Sequence, residues 1–178
     1  MSLNSRILQR FKSGMFVETG SYIGLGIIAA IDVGFPQIRS IELSERYFDI
    51  CTERFKKNSN IKIFQGDSSL ILFDVIKDIK EKITFWLDGH YSGGNTAMGQ
   101  QSSPLLLELE QIKRHDIKDH IILINDLRCW SKDNPEIGFG EEEIKEKLYE
   151  INSNYKILHE DGVHDEHVFK DDILVAII

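Results

Sequence analysis

Apolar positions along the chain fall into two alternating rhythms. Short apolar runs at Met15 to Glu18, Ile38 to Glu42, Ile61 to Gln65, Ile83 to Leu87 and Ile121 to Ile124 read as buried strands. Between them apolar residues recur at helical spacing. Ile23, Ile27 and Ile31, with Ile28 and Ala30 beside them, predict a helix over Ile23 to Val33 that stops at Gly34. Ser44 caps a helix running to about Lys57, with Tyr47, Ile50, Cys51 and Phe55 on one face. A third helix carries Leu70, Phe73, Ile76 and Ile79; a fourth, from Pro104 to about Arg114, buries Leu105, Leu106, Leu109 and Ile112. The helix Glu141 to Asn152 has three glutamates in its first turn, where they complement the helix dipole, and turns Ile144, Leu148 and Ile151 inward. A short amphipathic lead-in covers Ser5 to Lys12.

Strands alternating with helices predict an α/β fold, a parallel sheet doubly wound with helices on both faces. Two final strands, about Tyr155 to Leu158 and Ile173 to Ile178, have no long helical pattern between them and so pair antiparallel. Two stretches carry neither rhythm: Gly89 to Ser103, rich in glycine, and Leu127 to Gly140. Loops that long in a compact domain are more often functional than accidental.

At 178 residues the chain makes one domain with a full core and needs no staples. Cys51 and Cys129 fit no metal spacing and read as reduced thiols. A net charge of −8 argues against nucleic acid or anionic membrane as partner. No apolar signal core or spanning run is present, so a cytoplasmic protein is expected.

The chemistry gathers at strand ends. Strand one runs into a turn containing Gly20, Gly24 and Gly26, where missing side chains leave room for a ligand near a helix N-terminus. The spacing departs from the dinucleotide pattern, with Ser21 and Tyr22 where a second glycine is wanted. Strands one to five end with Glu18, Glu42, Asp67, Asp88 and Asp126. Ligands of open α/β sheets bind beyond those ends, and clustered carboxylates suit a cationic or hydroxyl-rich ligand. Glu42 is spaced to accept from two ribose hydroxyls, Asp67 can meet an adenine amino group or cap the next helix, and Glu18 can favour an ammonium or sulfonium centre.

Glu18-Thr-Gly-Ser-Tyr-Ile-Gly24, Ile41-Glu42-Leu43, Gln65-Gly-Asp-Ser68 and Trp86-Leu-Asp-Gly-His-Tyr-Ser-Gly-Gly94 resemble the successive motifs of class I S-adenosylmethionine-dependent methyltransferases. The resemblance covers nearly the whole chain. It is closest to a bacterial branch with similar Leu-Asp-Gly-His-Tyr-Ser-Gly-Gly and Ile-Leu-Ile-(Asn/Asp)-Asp-x-Arg segments. It implies a Rossmann-like seven-stranded sheet, order 3-2-1-4-5-7-6, with strand seven antiparallel. It further implies S-adenosyl-L-methionine (SAM) as cofactor, held at its amino-acid part by Glu18, Thr19, Gly20, Ser21, Tyr22 and Gly24, at its ribose by Glu42 and at its adenine end by Asp67 and Ser68, with Asp88 alongside. Tyr22 stands where the family has a glycine, so approach there would rely on Ser21 and Gly24.

A methyl acceptor would lie near the ends of strands four and five, which makes Asp88 and His90 the candidate catalytic residues, His90 as a general base or as an anchor of its loop. Asp88, Asn125 and Asp126 could instead hold Mg²⁺ or another divalent cation, as in catechol-type O-methyltransferases, although the Asp-Asn pair of those enzymes is reversed here. Arg128 could bind an acidic substrate group or pair with neighbouring carboxylates; Trp130 and Tyr91 could form an aromatic wall or cover the core edge. The polar stretch His159 to His167 reads as a solvated hairpin rather than a zinc site. The leading expectation is methyl transfer to a hydroxyl of a small polar or sugar-like substrate, by a monomer or homodimer. The alternatives are a non-catalytic cofactor-binding or partner module, and an NAD-dependent oxidoreductase.

Overall fold

The protein is described from a computed structural model covering residues 3–89, 103–134, 137–164 and 167–178. Seven strands form one sheet: β1 (Met15–Thr19), β2 (Ile38–Glu42), β3 (Ile61–Gln65), β4 (Ile83–Leu87), β5 (Ile121–Ile124), β6 (Lys156–His164) and β7 (His167–Ile177). Their order is β3-β2-β1-β4-β5-β7-β6, parallel through β5, with β7 antiparallel to both its neighbours, as expected. The order reverses between β1 and β4, and that reversal is the topological switch point where such sheets open a crevice. The register pairs Thr19 with Ile41 and Leu87, and Leu87 with Ile124, so the turns after β1, β2, β4 and β5 emerge along one edge.

Alternation along the strands divides the core into two layers. Phe16, Trp86, Leu123 and Val175 join residues of α1 (Ser5–Arg10), α2 (Leu25–Val33) and α3 (Glu45–Phe55) on one face. Val17, Phe85, Ile122 and Leu174 join α4 (Ser68–Ile76), α5 (Leu105–Lys113) and α6 (Glu141–Ile151) on the other. Among the described residues no helix is long and apolar enough to cross a membrane.

Several boundaries differ from the sequence expectation for identifiable reasons. Helix α2 starts at Leu25 rather than Ile23, because Gly24 is its N-cap in a left-handed conformation. Its buried stripe runs through Gly26, Ile27, Ala29, Ala30 and Val33, which leaves Ile31 exposed; Ile50 and Leu70 are likewise exposed on α3 and α4. Strands β6 and β7 are far longer than their apolar segments, because the hairpin ladder continues through polar residues to the His164–His167 pair. Backbone pairing needs no apolar side chain, and the shift in register between Glu160 and Gly162 marks the irregularity where it continues.

Candidate functional site

At the switch point the turn after β1 presses on the end of β4. Gly20 adopts φ 83°, and a Cβ there would stand 2.4 Å from the Asp88 carbonyl oxygen, so no other residue fits both constraints. The other glycines of this turn also face protein atoms. A Cβ at Gly24 would meet the Phe55 ring at 2.5 Å, and one at Gly26 the Glu18 carboxylate at 2.0 Å. Their missing side chains therefore make room for packing within the protein, which is not the open space the sequence suggested.

Tyr22 takes the left-handed conformation, φ 47°, that the expected glycine would adopt freely. Three contacts hold it there. Its N–H donates to Glu42 Oε2 at 2.7 Å, its carbonyl accepts from the Cys51 thiol at 3.1 Å, and its half-exposed ring leans on that of Tyr47 with centroids 4.5 Å apart. Glu42 Oε1 accepts the Ser44 N–H at 2.8 Å. Both Glu42 oxygens are thus aimed by backbone donors, and each retains a lone pair for a further hydroxyl.

The remaining strand-end acids differ sharply in setting. Glu18 is buried beneath α2, where Ser40 Oγ donates to Oε1 at 2.7 Å and itself pairs with Ser21 Oγ at 2.5 Å. Burial pushes its carboxyl up to about 8, with Asp88 and Glu42 adding repulsion. Asp88 lies on the same sheet face and is pushed up to about 7 by burial first and by Asp126 second, against hydrogen bonds from Asn125 Nδ2 (3.0 Å) and Trp86. Asp67 caps α4, its Oδ1 accepting from Ser69 N and Ser69 Oγ at 3.0 and 2.6 Å, so the capping role considered for it is realised. Ser68, next to it, donates to Glu108 instead.

Asp126, also left-handed at φ 57°, is ion-paired with Arg128 at 2.7 Å. Arg128 also pairs with buried Asp172 of β7, and its guanidinium lies 4.3 Å from the centre of the Phe169 ring. Two carboxylates therefore engage the cation that sequence considered for a substrate acid. Trp130 donates from Nε1 to the Asn125 carbonyl at 3.1 Å and stacks on Phe139, which closes the core edge. His90 and Tyr91 lie outside the described residues.

The proposed metal set does not assemble into a cage. Asn125 turns its amide nitrogen, a donor, toward Asp88, and Arg128 places a cation on Asp126. Asn125 Oδ1 is buried with no hydrogen-bond partner among the described residues. A divalent ion needs several oxygens turned on one point, and this arrangement does not offer them. Among the described residues no group of three or more His, Cys, Asp or Glu could hold a metal.

Two buried acids, Glu108 and Asp172, escaped the strand-end pattern. Each carried a signal: Glu108 falls on the inward stripe between Leu105 and Ile112, and Asp172 directly precedes the apolar run of β7. Burial pushes Glu108 up to about 7, with Ser68 and Thr19 hydrogen-bonding against that shift.

No protein-family model matches the chain, and no curated protein matches it in sequence. Solved structures do. The O-methyltransferase TomG from Streptomyces achromogenes, in complex with SAM, superposes with a TM-score of 0.69 over 98% of this chain and 77% of its own, at 10% identity. An O-methyltransferase from Bacillus cereus, in complex with SAH, gives 0.66 over 98% and 78%, at 13% identity. A SAH-bound methyltransferase from Podospora anserina gives 0.61 over 97% and 75%, also at 13%. The chain has the class I methyltransferase fold. At such identities the likeness carries the fold alone, and activity must be argued from the site.

Proposed function

We propose that the protein binds SAM at the switch point and transfers its methyl group to a hydroxyl of a small polar or sugar-like substrate. The observation that carries this reading is Asp88: a half-buried carboxyl beside the β1 turn, oriented by Asn125 and raised to about 7. An acceptor hydroxyl must lose its proton as its oxygen takes the methyl group, and a carboxylate of raised pKa is a competent base for that proton. Bound SAM would supply an electrophilic methyl on a sulfonium sulfur.

The chain's own residues do the rest. Glu42, with its two oxygens held by Tyr22 N–H and Ser44 N–H, accepts the ribose hydroxyls, which a fixed carboxylate binds more strongly than a neutral side chain. Thr19 to Tyr22 and Gly24 border the amino-acid part, with Glu18 buried beneath them, and Asp67 and Ser68 border the adenine end. His90 is a second candidate for the proton.

Transfer of labelled methyl from SAM to a panel of polyols, sugars and phenols, with Asp88→Asn beside native protein, tests the reading. Labelled product that Asp88→Asn suppresses supports it; no transfer to any hydroxyl, with transfer to amines instead, contradicts the acceptor class. One observation favours a second reading, a non-catalytic partner module with this fold: the N–H groups of Gly20, Ser21, Tyr22 and Gly24 are all engaged within the protein, on Ile41 O, Glu42 and Ser21 O, which leaves fewer donors for a cofactor. No transfer to any acceptor, with cofactor bound weakly or not at all, would support that reading.

A further inference from the structure

Glu108 stands in the first turn of α5, almost wholly buried, where the positive end of the helix dipole favours its charge. Its Oε1 accepts the Ser68 hydroxyl at 2.5 Å, and the Thr19 hydroxyl, which faces the same space beside Gly89, opposes the upward shift that burial gives this carboxyl. Thr19 Oγ1 in turn accepts the Asp88 N–H at 3.3 Å. A hydroxyl has one proton to give and lone pairs to spare, so Thr19 can donate to Glu108 and accept from Asp88 without conflict. Glu108 Oε1 also stands 3.1 Å from where a Cβ of Gly89 would lie, so that any side chain at Gly89 would crowd it. One carboxylate thus reaches the segments that leave β1, β3 and β4. An apolar residue would fill this inward position of α5 better if packing were the only demand, since a buried carboxylate costs several kcal/mol unless it is hydrogen-bonded.

We propose that Glu108 is a positioning residue of the cofactor site, whose carboxylate holds the turns at Thr19, Ser68 and Gly89 at the mutual spacing that receives the adenosyl cofactor. The cofactor half of this inference rests on the function proposed above; the tying of the turns does not. Side-chain hydroxyls are the handles in two of the three turns, and the third has a glycine because the carboxylate occupies the adjacent space. A hydroxyl that donates to Glu108 has no proton left to give a ligand, and through that bond it fixes its turn.

Hydrogen exchange of native protein, Glu108→Gln and Glu108→Ala, together with calorimetric titration by S-adenosylhomocysteine, tests both halves. In Glu108→Ala the amides of Gly20, Ser69 and Asp88 should exchange about tenfold faster or more, with Ile122 to Ile124 and Leu174 to Ala176 unchanged, and affinity should fall about tenfold. Glu108→Gln, which keeps an acceptor, should recover most of both losses. Unchanged exchange in the three turns overturns the inference, and so does acceleration spread evenly over the sheet, which would mark a general loss of stability. If the turns loosen together but native protein binds no S-adenosylhomocysteine, the cofactor reading is overturned and Glu108 is a structural tie only.

Discussion

The two ends of the sheet bury titratable groups in opposite ways. Beyond the carboxyl ends of the strands, Glu18, Asp88 and Glu108 are acids withdrawn from water, each with a further carboxylate nearby, and burial pushes all three upward. At the other end His115 and His120 are buried in a closed chain of hydrogen bonds. Ile83 N–H donates to His120 Nδ1 at 3.1 Å, His120 Nε2 donates to His115 Nδ1 at 3.0 Å, and His115 Nε2 donates to the carbonyls of Ile76 and Ile79. A single pair of neutral tautomers satisfies every link. The histidine end is therefore a stabilising clamp, whereas the acid end holds groups whose repulsion no fold needs for its own sake. A site that must handle charge explains that difference.

The largest effect should come from the acid end. Asp88→Asn keeps the shape and the contact with Asn125 but removes the base, so kcat for methyl transfer should drop about 10²- to 10⁴-fold, with S-adenosylhomocysteine affinity changed by less than about threefold. Steady-state kinetics beside calorimetry separates the two. At the opposite end His120→Ala opens a cavity and orphans the Ile83 N–H, while His115 Nδ1 keeps the Ile117 N–H. It should cost about 3 kcal/mol of stability in denaturant unfolding and leave cofactor affinity intact. A loss of affinity as large as that of Asp88 variants in activity would erase the distinction between the ends.

Stability against pH should show both ends at once, with opposite signs. The acids hold protons in the folded state that they release when unfolded, so their contribution is present below about pH 4 and is lost as pH rises through 7 to 8. His120, lowered to about 3 by burial, is neutral when folded; its contribution is present above about pH 6.5 and is lost as pH falls toward 3. The melting temperature should accordingly peak in mildly acidic solution. Glu18→Gln should flatten the alkaline limb and gain about 2 kcal/mol at pH 8.5, and a variant no more stable than native protein at that pH would show that Glu18 is not costly to ionise. The smallest effect is expected at Tyr22. Exchange for glycine relieves the left-handed strain and forfeits the contact with Tyr47, so the net change in stability should stay within about 1 kcal/mol.

The fold was legible in the sequence wherever burial alone decides a position. Strands β1, β4 and β5 are covered on both faces and read as apolar runs, and the acids that end β1 to β5 pointed to the edge proposed above as the site. Polar pairing was not legible: β6 and β7 continue past their apolar segments through backbone hydrogen bonds that leave no trace in hydropathy. Ile31, Ile50 and Leu70 lie on exposed faces, because one apolar residue at the border of a stripe does not settle the helix rotation. Within the site, Glu42 and Asp88 stand where strand-end reasoning put them. Glu108 and Asp172 come from a helix and from the last strand, and their convergence on Thr19 and Arg128 is a long-range fact that no local motif encodes. Gly24 and Gly26 looked like openings for a ligand because sequence cannot show that Phe55 and Glu18 fill the space beside them.

Calorimetric titration of the native protein with SAM and S-adenosylhomocysteine, with NAD and Glu42→Ala as controls, tests the central claim most directly. The account predicts saturable binding of both sulfur ligands at one site, no binding of NAD, and a loss of affinity of about tenfold or more in Glu42→Ala. Binding of NAD in their place, or no binding of either sulfur ligand, would contradict it.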